Sequence, residues 1–163
     1  MSRLERFDRA DRDVAQRSRT AELAARRAEL TQRDLSALAR MLDVELPTSR
    51  FDRRKMGTAQ AQVELVWCVI RAAHRKRISV AQFLLPSKGD TRYTFFNETP
   101  SPLNPAPTVA DVRRAVAQDP RFNAVAGWLI ADNEFPDVVE SKRETFGTGK
   151  SLGMLGPVEF FRE

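Results

Sequence analysis

The stretch Phe146–Gly153, "FGTGKSLG", holds the residues of this chain whose types and spacing most suggest chemistry. Gly-x-Gly-Lys-Ser is how a phosphate-binding loop ends. There backbone amides cradle the phosphates, the lysine reaches the terminal ones, and the following helix N-terminus adds positive potential. The complete pattern needs its first glycine at position 144, where Glu144 stands. The preceding "VVESKRE" is no buried strand running into a loop, and Gly153, Gly156 and Pro157 deny the residues after Ser151 a long helix. No apolar strand ending in aspartate is present to hold magnesium. The expectation is therefore a glycine-rich surface loop at 147–153 and no nucleotide site. One His and one Cys cannot furnish the usual nitrogen and sulfur ligands of a metal centre. His74 and Cys68 lie six residues apart and nearly opposite in helical phase, which disfavours a nucleophile–base pair. Asp132 and Glu134 have the spacing of a solvated loop, with nothing to mark a general acid and base. No catalytic residue, metal ligand or cofactor is expected, and the chain reads as a non-enzyme.

The charge layout carries more. Of a net +5, residues 1–49 contribute +1, residues 50–92 contribute +7 and residues 93–163 contribute −3. Arg53, Arg54 and Lys55 precede a central helix, Arg71, Arg75, Lys76 and Arg77 close it, and Lys88 and Arg92 flank a turn. Gathered on one face, such cations displace counterions from phosphates. Tyr93, Phe95 and Phe96 would add stacking surface for unpaired bases. These nine basic residues are the candidate nucleic-acid contacts, to DNA or RNA and with little sequence reading. The competing account of Arg71–Arg77 is that bases in a last turn complement the helix dipole. A cationic face also suits an acidic protein partner.

These residues need elements to position them. Ser2 with Glu5, Thr31 with Asp34, Thr108 with Asp111 and Ser141 with Glu144 match the capping pattern of a hydroxyl followed three residues later by an acid. Behind them the sequence predicts helices over 2–30 and 32–43, a central core helix from Thr58 to about Arg75, and a helix over 109–117. Asp119 and Pro120 open a further expected helix over 120–131, with Phe122, Val125, Ala126, Leu129 and Ile130 on one face. Residues 82–96 place apolar or aromatic runs on both sides of "SKGD" and predict a β-hairpin. Residues 97–107, with four prolines, read as an extended connector, and one short helix near 141–146 is expected in the tail. The helices at 109–131 resemble a helix-turn-helix only in outline, because the second offers Arg121 and Asn123 and is otherwise apolar.

The fold expected is thus mainly α, with a minor β component. An N-terminal arm or hairpin at 1–45 precedes a single domain at 46–163, made of a basic core helix and hairpin (50–96), the connector, and a C-terminal helical part (108–163). Leu30, Leu35, Leu38 and Leu42 are the candidate self-association residues of the arm, which would make a homodimer; a solvated, frayed arm over 2–20 is the alternative. The single Cys68 suggests a reducing compartment or indifference to redox state, and the charged start "MSRLERFDRADRD" reads as no secretory signal, so a cytoplasmic setting is expected. The longest apolar run, "LVWCVI", is too short for a bilayer span.

Two short segments resemble known ones. "QFLLP" (82–86) looks like the peptides that dock bacterial sliding clamps, sharing Gln82 and Leu85, with Phe83 a substitute and Pro86 in place of the final aromatic. "GWLIADNEF" with "LGPVEFF" is loosely similar to the toxin-binding domains of bacterial antitoxins over fewer than forty residues. Neither names a family. The expected function is a bacterial-type regulatory or accessory protein that contacts nucleic acid through 50–92 and self-associates through its N-terminal helices. The alternative is an adaptor, inhibitor or antitoxin-like module with a protein target.

Overall fold

Thr31 and Asp34 start the second helix as their spacing implies. The Thr31 hydroxyl accepts from the Asp34 amide (3.2 Å), and the Asp34 carboxylate accepts from the Thr31 amide (2.9 Å). Two first-turn donors that no helical carbonyl can reach are thereby satisfied. Thr108 and Asp111 make the same reciprocal pair, at 3.3 and 2.8 Å. The computed structural model describes residues 3–45, 56–84, 107–122, 125–130, 151–155 and 158–162. In it these caps open α2 (Gln32–Glu45) and α5 (Val109–Val116); α1 is Arg3–Glu29, α3 Met56–Arg75 and α4 Val80–Leu84. Strands β1 (Val125–Ile130), β2 (Ser151–Leu155) and β3 (Val158–Arg162) complete the described elements. Over the described residues the architecture is mainly helical with a minor β component, as expected, but the sheet is built from 125–130, 151–155 and 158–162, within the part expected to be helical. The helices predicted at 2–30, 32–43, 58–75 and 109–117 are present with shifts of a few residues at their ends. Among the described residues no helix is long and apolar enough to cross a membrane.

The chain divides into two compact units, residues 1–30 and 31–163. The boundary falls at 30/31 and not at 45/46, because α2 is part of the second unit's core. Leu38, Met41 and Leu42 are fully buried there, and α2 packs against α4, α5 and α3. In the centre of that unit, every residue of α3 from Ala61 to Ile70 is buried, as befits a helix covered on all sides. It meets α2, α4 and α5 and the strands β1 and β2.

Two expected elements differ. Residues 82–84, assigned to a hairpin, lie in α4. Ser79 Oγ accepts from the Gln82 amide (3.1 Å), Gln82 Oε1 accepts from the Ser79 amide (3.0 Å), and Asp34 Oδ1 accepts from the Ala81 amide (2.9 Å). With its N-terminal donors so occupied, the segment is held helical. Phe83 and Leu84 of the clamp-like "QFLLP" are buried in it and are not displayed as a docking peptide. The remainder of that hairpin, the connector to residue 106 and the short helix expected near 141–146 lie outside the described residues. Residues 125–130, expected in a helix, form β1. Gly127 would cost a helix interior about 1 kcal/mol, whereas the Val125 and Ile130 β-branched types suit a strand, and β3 supplies a partner.

The strand order is β1-β3-β2, both pairs antiparallel, with Trp128 opposite Phe160 and Met154 opposite Glu159. Register shifts fall between Val125 and Gly127 and between Ser151 and Gly153. Gly153 has φ +120°, which side-chain-bearing residues adopt only under strain. As the middle strand, β3 buries Val158, Phe160 and the adjacent Phe161. Phe160 packs at a tilt on Phe122, centroids 5.7 Å apart.

Candidate nucleic-acid interface

The end of α3 is where the basic residues become surface. The apolar face carrying Val63, Val66, Trp67, Ile70 and Ala73 is buried, and from His74 to Ser79 every residue is exposed. The helix stops at a left-handed residue: the Arg77 amide donates to the His74 carbonyl (2.9 Å) and the Ile78 amide to the Ala73 carbonyl (3.2 Å). This is the Schellman closure, whose left-handed position is ordinarily glycine. Here it is Arg77, at φ 57°. Left-handed backbone costs a residue with a Cβ about 1 kcal/mol or more.

The turn that follows is held from both sides. Ser79 and Gln82 cap α4, and the Asp34 carboxylate ties the amide of Ala81 to the start of α2. Lys76 Nζ lies 5.5 Å from the centroid of the Phe83 ring, and Phe83 is itself buried. Arg75, Lys76 and Arg77 are therefore three consecutive cations projecting from a turn whose backbone is fixed before any ligand arrives. Such a turn can neutralise two or three phosphates without reorganising its backbone.

Arg71 behaves differently. It is half-buried, and its guanidinium donates to the Phe122 carbonyl at 3.0 Å. This candidate contact is thus engaged in joining α3 to the 118–122 loop. Trp67 and Glu64, one and two turns earlier on the same face, do likewise. The buried Glu64 carboxylate accepts from the amides of Arg121 and Phe122, and the Trp67 indole donates to the Gln118 carbonyl at 2.8 Å. Sequence reasoning missed Glu64. The available signal was a lone acid inside the buried run 61–70, which must find donors or carry a large desolvation cost. Arg121, exposed in this clamped loop with its guanidinium carbon 5.8 Å from the centroid of the Phe122 ring, is an additional surface cation.

Of the other candidates, Arg53, Arg54, Lys55, Lys88 and Arg92 lie outside the described residues, as do Tyr93, Phe95 and Phe96. Leu35, Leu38 and Leu42 are corrected: they are buried in the second unit's own core, at 8, 0 and 0% exposure, so no second copy reaches them in this fold. The physical reason is that α4 and α5 fold onto the face left open in the sequence reading. Leu30 is half-buried at the end of the first unit. Ser151, which in a phosphate-binding loop would start a helix, instead starts β2. His74 is exposed near the helix end, and Cys68 is buried. Among the described residues no group of three or more His, Cys, Asp or Glu could hold a metal ion.

No protein-family model matches the chain, and no curated protein and no solved structure matches it. The functional reading accordingly stands on the geometry of the α3–α4 turn.

Proposed function

We propose that this is a non-enzymatic regulatory or accessory protein that contacts nucleic-acid phosphates through the α3–α4 turn and self-associates through its N-terminal helical region. The observation that carries the reading is the exposed run Arg75-Lys76-Arg77 on a backbone locked by a helix closure and a capping box. Dipole compensation accounts for cations within the last turn of α3, but the left-handed site beyond it favours glycine. An arginine there forgoes stability for surface charge.

Titration of labelled single-stranded and duplex oligonucleotides at several salt concentrations tests the reading. Affinity should fall steeply as salt rises, and replacing Arg75, Lys76 and Arg77 by alanine should lower the log–log slope by about 2–3. Binding that ignores salt, or no binding at low salt, overturns the reading and favours a protein target. The single change Arg77→Gly separates charge from fold. It should raise unfolding free energy by about 1 kcal/mol in a urea titration while weakening oligonucleotide binding. A stabilised variant with unchanged affinity would remove Arg77 from the interface.

A further inference from the structure

Helix α1 leaves a heptad seam in solvent. With Leu4 as position a, the a positions are Leu4, Asp11, Ser18 and Ala25, and the d positions are Phe7, Val14, Ala21 and Ala28. All eight are exposed; Leu4, Phe7 and Val14, at 76, 58 and 62%, are three of the large apolar side chains most open to water among the described residues. The flanks are sorted by sign. Asp8, Glu22 and Glu29 occupy e positions, whereas Arg17 occupies a g position, its g neighbours Ala10 and Ala24 being neutral. In a parallel pair, a g residue faces the e′ residue five positions further along the other helix, so Arg17 meets Glu22 of a second copy, twice by symmetry. An antiparallel pair would instead set e against e′ and bring acid against acid.

We infer that α1 is the dimerisation element of this protein and pairs in parallel with α1 of a second copy through Leu4, Phe7 and Val14, with Arg17–Glu22 contacts setting the direction. This rests on the self-association part of the proposed function and moves it from α2, whose leucines are occupied, to α1; it is independent of nucleic-acid contact. The seam also specifies a weak dimer. Asp11 faces its own symmetry mate, Ser18 is polar, and the three alanines bury little area. A dimer that forms and dissociates over an accessible concentration range is the expected behaviour.

The test is sedimentation equilibrium on the full chain over a wide concentration series. The wild type should show reversible dimerisation. Phe7→Glu with Val14→Glu should make it monomeric, with helicity by circular dichroism unchanged because both side chains are exposed. Asp11→Leu should tighten the dimer at least about tenfold, while Arg9→Leu, at an f position on the opposite face, should leave it unaltered. Arg17→Glu should weaken association, and adding Glu22→Arg should restore it. Ala28→Cys should cross-link to itself under mild oxidation, with the wild type, whose Cys68 is buried, as the blank. In an antiparallel pair two residues 28 would be about 36 Å apart and would not cross-link. A chain monomeric throughout overturns both self-association and this seam. A dimer indifferent to Phe7, Val14 and Asp11 overturns the seam alone, and a dimer that Ala28→Cys fails to cross-link overturns the parallel direction.

Discussion

Glu64 shows how much a single buried charge organises. Its carboxylate is 1% exposed and takes the amides of Arg121 and Phe122, whose segment leads into β1. Truncation to Glu64→Ala leaves those part-buried donors without their acceptor and removes a buried side chain from the centre of α3. A loss of about 3 kcal/mol in unfolding free energy is expected, read as a lower urea midpoint with the m-value unchanged. Glu64→Gln keeps one accepting oxygen and should lose markedly less. In the sequence Glu64 entered only through the net charge of residues 50–92, where Asp52, Glu64 and Asp90 are the acids. Likewise Arg71 counted as a cation for phosphate, because its carbonyl partner lies 51 residues away. Residue type was legible; residue role depended on which distant backbone arrived.

At the scale of elements, capping was the most legible feature. The boxes at Thr31–Asp34 and Thr108–Asp111 form with the expected partners, since all their atoms lie within one turn. They are not equal in weight. Asp111 serves one helix, whereas Asp34 serves the start of α2 and, through Oδ1, that of α4. Thr108→Ala should therefore cost about 1 kcal/mol. Asp34→Ala should cost about 2–3 kcal/mol, because it also strands the buried Ala81 amide. Thermal and urea denaturation of the two variants side by side check the order. If Asp34→Ala is no worse than Thr108→Ala, the bridging bond contributes nothing. The Ser79-x-x-Gln82 box is the glutamine form of that motif, outside the hydroxyl-and-acid pattern, and apolar runs on both sides of "SKGD" suggested strands there.

For the whole molecule, the proposed α1 dimer and the proposed phosphate-contacting turn would have a joint consequence. If both proposals hold, two turns carried by one dimer would bind a long duplex with an avidity that neither turn has alone. The dimer-breaking pair Phe7→Glu and Val14→Glu should weaken binding to a long duplex by about a hundredfold. Affinity for an oligonucleotide short enough to hold a single turn should change less than about twofold. Fluorescence anisotropy with the two lengths measures both; equal losses on both would mean that self-association adds no avidity.

What the chain by itself determined is whatever neighbours encode. The capped helices, the buried central helix, the concentration of positive charge in 50–92 and the heptad of α1 all follow from residues within a few turns of one another. What only the tertiary structure decided is who covers whom. Residues 125–130 carry apolar spacing compatible with either a helix or a strand, and the presence of β3 as a pairing partner resolves it. The apolar face of α2 suited a second copy equally well until α4 and α5 occupied it. Local hydrogen bonding and periodicity are short-ranged and can be read along the chain. Strand pairing, burial of charge and competition for an apolar face are settled between segments far apart in sequence, and become visible only once the chain has folded.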